Sequence, residues 1–144
     1  MKRILLFLFL ILLSSGNANA GCDDPLADGV DYTNCRFSDG QDLQGSYLPN
    51  SKLSFASFIQ VIFDKSIMMN SNLSFGTFPE SSFVRANLYE SILVGANFEK
   101  ANFTGANLTS SNIKNANFDG ANLIGATWTN GETCGPNSIG VCNK

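Results

Sequence analysis

Every fifth residue from Leu43 to Trp128 is apolar. Divided into blocks of five from residue 41 to residue 130, the pattern runs through eighteen blocks without an insertion or a deletion. The first residue of each block is Ala, Ser or Gly, except at Gln41 and Val61. A five-residue period matches neither the 3.6-residue period of an amphipathic helix nor the alternation of a strand. The pattern therefore predicts one short straight segment and one bend in each block.

The bend follows from the spacing of small and large side chains. The small first residue and the apolar third residue lie on one face of an extended chain, because they are two positions apart. The next small residue comes three positions later, so the backbone must turn to keep it on the same side. Stacked coils of this kind satisfy each other's backbone hydrogen bonds and bury the apolar residues between them. The sequence therefore predicts an all-β solenoid over residues 41–130.

The order of the central residues predicts four blocks in each coil. Pairs of Phe return at every fourth block, so each apolar side chain should stack on a similar one in the next coil. Eighteen blocks then form about four and a half coils, with a height of roughly 22 Å at the usual strand spacing. The four predicted columns are Phe58, Phe78, Phe98 and Phe118; Phe63, Phe83 and Phe103; Leu53, Leu73, Leu93 and Ile113; and Leu48, Met68, Leu88, Leu108 and Trp128.

Asn precedes the central residue in many blocks. One interpretation is a polar ladder that binds a ligand, and the other is that each Asn bonds the nearby turn backbone, as Asn commonly does. We favour the second interpretation. These residues are Asn72, Asn87, Asn97, Asn102, Asn107, Asn112, Asn117 and Asn122.

The motif small-Asn-Leu/Phe-x-x, clearest from Ala86 to Ala126, resembles that of the pentapeptide-repeat family. The resemblance covers residues 41–130 and implies a right-handed quadrilateral β-helix. It also implies an alternative function, because the fluoroquinolone-resistance members of that family act as DNA mimics on gyrase. Such a mimic needs a dense anionic surface, since nucleic-acid partners bind mainly through phosphate charge.

Charge and residue content argue against that alternative and against catalysis. The repeat carries six acidic and five basic residues, and the acidic excess lies between Asp23 and Asp39. No basic stripe for binding nucleic acid is present. The chain contains no His, no nucleophile beside a plausible base and no phosphate-binding loop. We therefore expect a protein that is not an enzyme and has no cofactor and no metal site.

The first twenty residues resemble a secretory signal peptide. Lys2 and Arg3 precede a short apolar run, and Ala18-Asn19-Ala20 matches a small-x-small cleavage site. We expect cleavage after Ala20 and export to the periplasm or the medium, with seven basic and twelve acidic residues remaining, a net charge of −5. A lipoprotein acylated at Cys22 is the weaker alternative, because Asn19 fits a lipobox poorly.

Four cysteines lie outside the repeat, two on each side of it. An exported chain with an even cysteine count indicates disulfides, and four cysteines allow three pairings. We favour the two local bridges, Cys22–Cys35 and Cys134–Cys142, because they would close opposite ends of the solenoid. The expected organisation is a signal peptide at 1–20, a leader at 21–40, the β-helix at 41–130 and a disulfide-bonded cap at 131–144. Phe37 lies one residue out of register with Leu43.

The looser early blocks place apolar residues at outward positions. Phe55 and Phe75 are both fifth residues, four blocks apart, so they should stack on one outer corner. One interpretation is an interaction patch for an unidentified protein or a second copy; the other is that the aromatic rings or the leader cover the turns. The candidate residues are Tyr47, Phe55, Ile59, Ile67, Met69, Phe75 and Tyr89. We expect a rigid scaffold or protein-interaction module.

Overall fold

The computed structural model describes residues 22–144 of the protein. The signal peptide expected at 1–20, and its cleavage site after Ala20, lie outside the described residues. In the described part the backbone forms neither helices nor continuous strands, and it is built from straight segments separated by two-residue turns. Single residues of successive coils pair with one another in parallel. Within the repeat, the regular backbone pairing is therefore between coils.

The spacing of the parallel bridges sets the length of a coil, because the second residue of a block pairs with the residue 20 positions later. Asn72 illustrates the arrangement: it forms a parallel bridge with Lys52. The Asn72 N–H donates to the Ser51 carbonyl (2.9 Å), and the Leu53 N–H donates to the Asn72 carbonyl (2.7 Å). Equivalent bonds recur from coil to coil, so a block lies directly above the block four positions earlier.

The corners require a left-handed backbone at the fifth residue of a block. The φ angle is 57° at Gln60 and 66° at Gly105, and the other corner residues are similar. The second residue helps to close the turn: the Asn102 Oδ1 accepts the Thr104 N–H at 3.0 Å. All eight of the Asn residues named above accept the amide two residues ahead in this way. The interpretation that these Asn side chains bond the turn backbone is therefore confirmed.

The interior is filled by the predicted columns of apolar side chains. Phe58, Phe78, Phe98 and Phe118 stack with centroid separations of 5.0–5.2 Å. The Phe63, Phe83 and Phe103 rings stack beside them and contact them edge to face. The Leu columns are also buried. The predicted columns of Phe are confirmed, and stacking rings of equal size in successive coils leaves no gap between layers.

Buried serines at the first position of a block use their hydroxyls between coils. The Ser81 hydroxyl donates to the Phe58 carbonyl (2.5 Å) and accepts the Val61 N–H (3.2 Å). Ser71 bonds the coil below in the same way. Ser66 is equally buried, but its hydroxyl is the one buried side-chain polar atom of residues 22–144 without a hydrogen-bond partner.

The solenoid begins before Gln41, the residue at which the repeat pattern predicts its start. Asp31 forms a parallel bridge with Lys52, and Arg36 forms a second one with Ser57, each one position longer than the bridges within the repeat. Phe37 is buried and stacks on Phe58 at 4.4 Å. Residues 30–39 therefore contribute two further blocks, and one extra residue in the following turn, where Gly40 has a φ of 74°, causes the register offset.

Disulfides close both ends of the solenoid. Cys22 is bonded to Cys35 and Cys134 to Cys142, as favoured from the sequence. Residues 131–144, the C-terminal cap, cross the last coil in the antiparallel direction. Trp128 packs edge to face on Phe118 beneath them.

Candidate interaction surface

Phe55 and Phe75 form a stacked pair on the outside of the solenoid. Their ring centroids are 5.2 Å apart and their planes differ by 14°. They are 58% and 52% exposed, respectively, although both are large apolar side chains. A Cβ atom added at Gly95, one coil further, would lie 2.6 Å from the Phe75 ring, so that ring rests on the glycine backbone. We call Phe55, Phe75 and Gly95 the aromatic corner.

The aromatic corner lies at a position that is unfavourable for aromatic residues. Phe55 and Phe75 have φ angles of 59° and 57°, in the left-handed region that bulky side chains rarely occupy. Gly and Asn are the residues suited to this conformation. The left-handed backbone at Phe55 and Phe75 is therefore energetically unfavourable, and the stacking of the two exposed rings offsets part of this conformational energy.

Four other candidate residues lie together on a different part of the surface. Tyr47 and Ile67 form a parallel bridge, and Tyr47 is 57% exposed. Met69 and Tyr89 occupy the same column of turn residues, where the Asn70 N–H donates to the Tyr89 carbonyl. Glu90 raises the pKa of Tyr89 by accepting a hydrogen bond from its hydroxyl. These four residues form an apolar strip.

The candidate residues do not form one continuous patch. The outward residues Lys52, Ser54, Asn72 and Ser74 lie on the edge between the apolar strip and the aromatic corner. Ile59 is half-buried and begins the next turn after the aromatic corner. The early blocks therefore carry two separate apolar features, of which only the aromatic corner has stacked rings.

Three exposed apolar side chains are not among the residues predicted from the sequence. Ile92 is 42% exposed on an outer edge, and Ile139 and Val141 are exposed in the C-terminal cap. Ile92 could have been found, because it is the second residue of its block and that position points outward. The two cap residues lie beyond the repeat, where no periodic pattern indicates which side chains are buried.

A groove of about 540 Å³ opens at the N-terminal end of the solenoid. Residues 22–26, residues 36–41 and Leu43 line it. Arg36 and Asp39 form an exposed ion pair there (3.8 Å). Nearby, burial and the charge of Asp24 raise the pKa of Tyr32, whose hydroxyl donates to the Asp24 carbonyl. Within residues 22–144 no three His, Cys, Asp or Glu side chains are arranged to hold a metal ion.

The family model that describes pentapeptide repeats matches residues 42–74, 81–120 and 101–130, with eight copies. The chain belongs to the pentapeptide-repeat family. These matches cover more than half of the sequence, and together with the parallel pairing of successive coils they identify the fold as a right-handed β-helix. No curated protein matches the chain significantly in sequence.

Several solved structures resemble this pentapeptide-repeat protein. One is a pentapeptide-repeat protein of the Arabidopsis thaliana thylakoid lumen, with 22% identity and a TM-score of 0.54 over 77% of this chain and 75% of that one. Rfr23 from the cyanobacterium Cyanothece 51142 has 27% identity and a TM-score of 0.49, covering 56% and 58%. QnrB1, a plasmid-mediated fluoroquinolone resistance protein, has 22% identity and a TM-score of 0.47, covering 71% and 59%. The present chain therefore spans less than two thirds of the length of the last two proteins.

The described residues, 22–144, contain no helix with the length and hydrophobicity that crossing a membrane requires.

Proposed function

We propose that this pentapeptide-repeat protein is an exported, non-enzymatic scaffold that binds another protein through the aromatic corner. The observation that carries the proposal is the exposed stack of Phe55 and Phe75 at left-handed corner positions. All of the other fifth residues of the repeat are Gly or polar or charged residues, so two exposed rings that contribute nothing to the core are the exception at these corners. Aromatic side chains are also enriched at protein interfaces.

The scaffold in this proposal is a quadrilateral β-helix. Residues 41–130 supply four blocks to each coil and about four and a half coils in all. Because the core side chains are the first and third residues of each block, the outward second and fourth residues can vary without disturbing the stack. Such a surface suits binding better than catalysis, since the chain lacks a His that could act as general acid or base.

The site of action in this proposal is the periplasm or the medium, after cleavage behind Ala20. The two disulfides are consistent with export, because such bonds persist in oxidising compartments. They also argue against the lipoprotein alternative. Acylation would need the sulfur of Cys22 that is bonded to Cys35.

A DNA-mimic role, like that of the gyrase-protecting members of the family, is the alternative function. It finds no support in the charges of the repeat. The repeat carries five basic residues against six acidic ones, so it lacks the excess of negative charge that a DNA mimic needs. The basic residues are Lys52, Lys65, Arg85, Lys100 and Lys114.

The double variant F55S/F75S tests the aromatic corner. The exported fraction of the native host would be passed over immobilised wild-type protein, the double variant and Ile92→Ser, and the captured proteins quantified. Ile92→Ser is the matched control, because it removes an exposed apolar side chain outside the aromatic corner. The proposal predicts one protein that the wild type and the control capture equally and that the double variant loses. Equal capture by all three would contradict it, provided that thermal melting confirms that all three are folded.

Export is tested separately by the intact mass of the protein recovered from outside the cytoplasm. The proposal predicts the mass of residues 21–144 less four hydrogens for the two disulfides. A mass that includes residues 1–20, or one increased by a lipid, would contradict it.

A further inference from the structure

The C-terminal cap covers only half of the last coil. Ile139 pairs with Asn122 and Thr133 pairs with Thr127, both in the antiparallel direction. Five backbone hydrogen bonds join residues 121–130 to residues 132–140 of the cap. Three amides of the coil donate to carbonyls of the cap: Leu123 to Ser138 (2.8 Å), Gly125 to Cys134 (2.9 Å) and Trp128 to Glu132 (2.7 Å). Two amides of these cap residues donate to carbonyls of the coil: Gly140 to Ala121 (2.8 Å) and Cys134 to Ala126 (2.8 Å).

The segment before that half, 111–120, has no such cover. One coil below, the Leu93 N–H donates to the Asn112 carbonyl (2.8 Å), and the Ser91 carbonyl accepts the Asn112 N–H (2.9 Å). The equivalent groups of residues 111–120 have no backbone partner among residues 22–144. They are the amides of Ile113, Asn115, Phe118 and Gly120 and the carbonyls of Ser111 and Ala116. We call residues 111–120 the open edge.

Part of the open edge also lacks an apolar layer above it, although Phe118 is buried against Trp128. Ile113 and Ala116 are half-buried, whereas Leu93 and Ala96, the equivalent residues one coil below, are 0% and 1% exposed. A strand placed on the open edge would therefore satisfy backbone groups and bury apolar surface at the same time. Unpaired sheet edges of this kind are templates for another strand.

We propose that the open edge binds an extended segment of another polypeptide by β-strand addition. Strand addition joins two chains through main-chain hydrogen bonds, which are the groups that the open edge leaves unpaired. The C-terminal cap supplies the precedent, because an extended segment that ends near Gly140 already occupies the adjoining half of the same coil. Gly140 lies beside Gly120, so a bound segment would continue the layer that the cap begins.

The shape of the cap also bears on which kind of polypeptide can bind at the open edge. The cap raises one half of the end by the thickness of a strand, about 4.8 Å, and leaves the open edge as a recess of that depth. A single extended segment fits this recess. We therefore assign the site to one extended segment of a different polypeptide, and a second copy, which would have to place its own cap in the recess, is an outcome that the test below distinguishes.

The recess selects for shape more than for charge. Outward side chains of the open edge include one cation, Lys114, and one anion, Asp119. The inward side of the bound segment must cover Ile113 and Ala116, which requires an apolar residue two positions after a small one. This is the rule that the columns of the solenoid follow.

Amide hydrogen exchange of the intact protein, followed by NMR, tests the proposal with a synthetic decapeptide as probe. The probe has the sequence of residues 91–100, and a scrambled decapeptide is its control. In the free protein we expect the Ile113 and Phe118 amides to exchange about a hundredfold faster than those of Leu93 and Phe98. Millimolar probe should slow their exchange by at least about tenfold and shift resonances only near residues 111–120.

Two variants separate this site from the aromatic corner. Ile113→Lys should abolish the effect of the probe, because it places a charge in the recess, while F55S/F75S should leave the effect unchanged. The proposal is overturned if millimolar probe has no effect, or if the scrambled peptide has the same effect. The proposal is also overturned if the amides of the open edge are already protected in the free protein. Protection that disappears on dilution would show that a second copy covers the open edge. Protection that is independent of concentration would show that the chain itself covers it.

Discussion

The Asp64 carboxylate accepts the backbone N–H of Val84, one coil away, at 3.0 Å. In the eight blocks that have Asn at the second position, this turn amide is bonded by that Asn, but the block of Val84 has Ser82 there. The Ser82 hydroxyl itself donates to Asp64. Asp64 therefore supplies from the preceding coil the acceptor that Ser82 cannot supply locally.

Removal of this acceptor should destabilise the protein in a way that a local Asn can repair. Asp64→Ala should lower the free energy of unfolding by about 1–3 kcal/mol, because it leaves the Val84 N–H unpaired. Ser82→Asn in the same background should recover most of that loss. Urea denaturation of the single and double variants measures both effects. No recovery in the double variant would mean that Asp64 acts through some other contact.

The buried serines should respond differently to loss of the hydroxyl. Ser81→Ala should lower the free energy of unfolding by about 1–3 kcal/mol, because the hydroxyl bonds both Phe58 and Val61. Ser66→Ala should leave stability unchanged or raise it by up to about 1 kcal/mol, because the buried Ser66 hydroxyl lacks a partner within residues 22–144. The two variants form a matched pair for chemical denaturation. Equal losses would contradict this account of the hydroxyls.

The disulfide of the C-terminal cap should stabilise the last coil in particular. Replacement of Cys134 and Cys142 by Ser should lower the free energy of unfolding by about 2–3 kcal/mol through loss of loop closure. The Leu123 and Gly125 amides, which donate to the cap, should then exchange faster, while the Phe78 amide, in the middle of the stack, stays protected. Uniformly faster exchange along the whole chain would show that the bridge stabilises the entire solenoid and not its end.

Acid should loosen the same cap. Lys144 and Asn130 donate hydrogen bonds to Glu132 and lower its pKa. A lowered folded-state pKa means that the contribution of Glu132 is complete above the ordinary glutamate pKa and is lost as the pH falls through the lowered value. The protection factors of the cap amides, which correct for the intrinsic pH dependence of exchange, should fall in that window, and Glu132→Gln should remove the fall. An unchanged pH profile in the variant would contradict the assignment to Glu132.

The core could be predicted from sequence because its physical rule is strictly periodic. A ring such as Phe78 must meet a residue of the same size 20 positions away, and Phe98 is there. The favoured disulfide pairs also follow from sequence, since each is short enough to close one end. These predictions depend on spacing alone.

The remaining features depend on interruptions of that spacing. The blocks that contain Tyr32 and Phe37 were overlooked because one extra residue before Leu43 shifts their register. The role of Asp64 could not be predicted, because its partner lies in another coil. The cap covers half of a coil through antiparallel pairing, which the pentapeptide pattern does not encode.

The candidate surface was predicted in its parts but not in its arrangement. The stack of Phe55 on Phe75 follows from their equivalent positions in successive coils. Its separation from the strip of Tyr47 and Ile67 depends on which edge each block occupies and on the polar residues between the edges. The extent of exposure at each position depends on neighbouring side chains and could not be read from the period.

The central claim is that each residue of the repeat lies beside the residue 20 positions away. Backbone NOE contacts between residues in the uniformly labelled protein measure this directly. The account predicts contacts between Asn72 and Ile92, between Asn97 and Asn117, and at the same separation along the repeat. Contacts at a different constant separation, or the short-range pattern of a helix over residues 41–130, would contradict it.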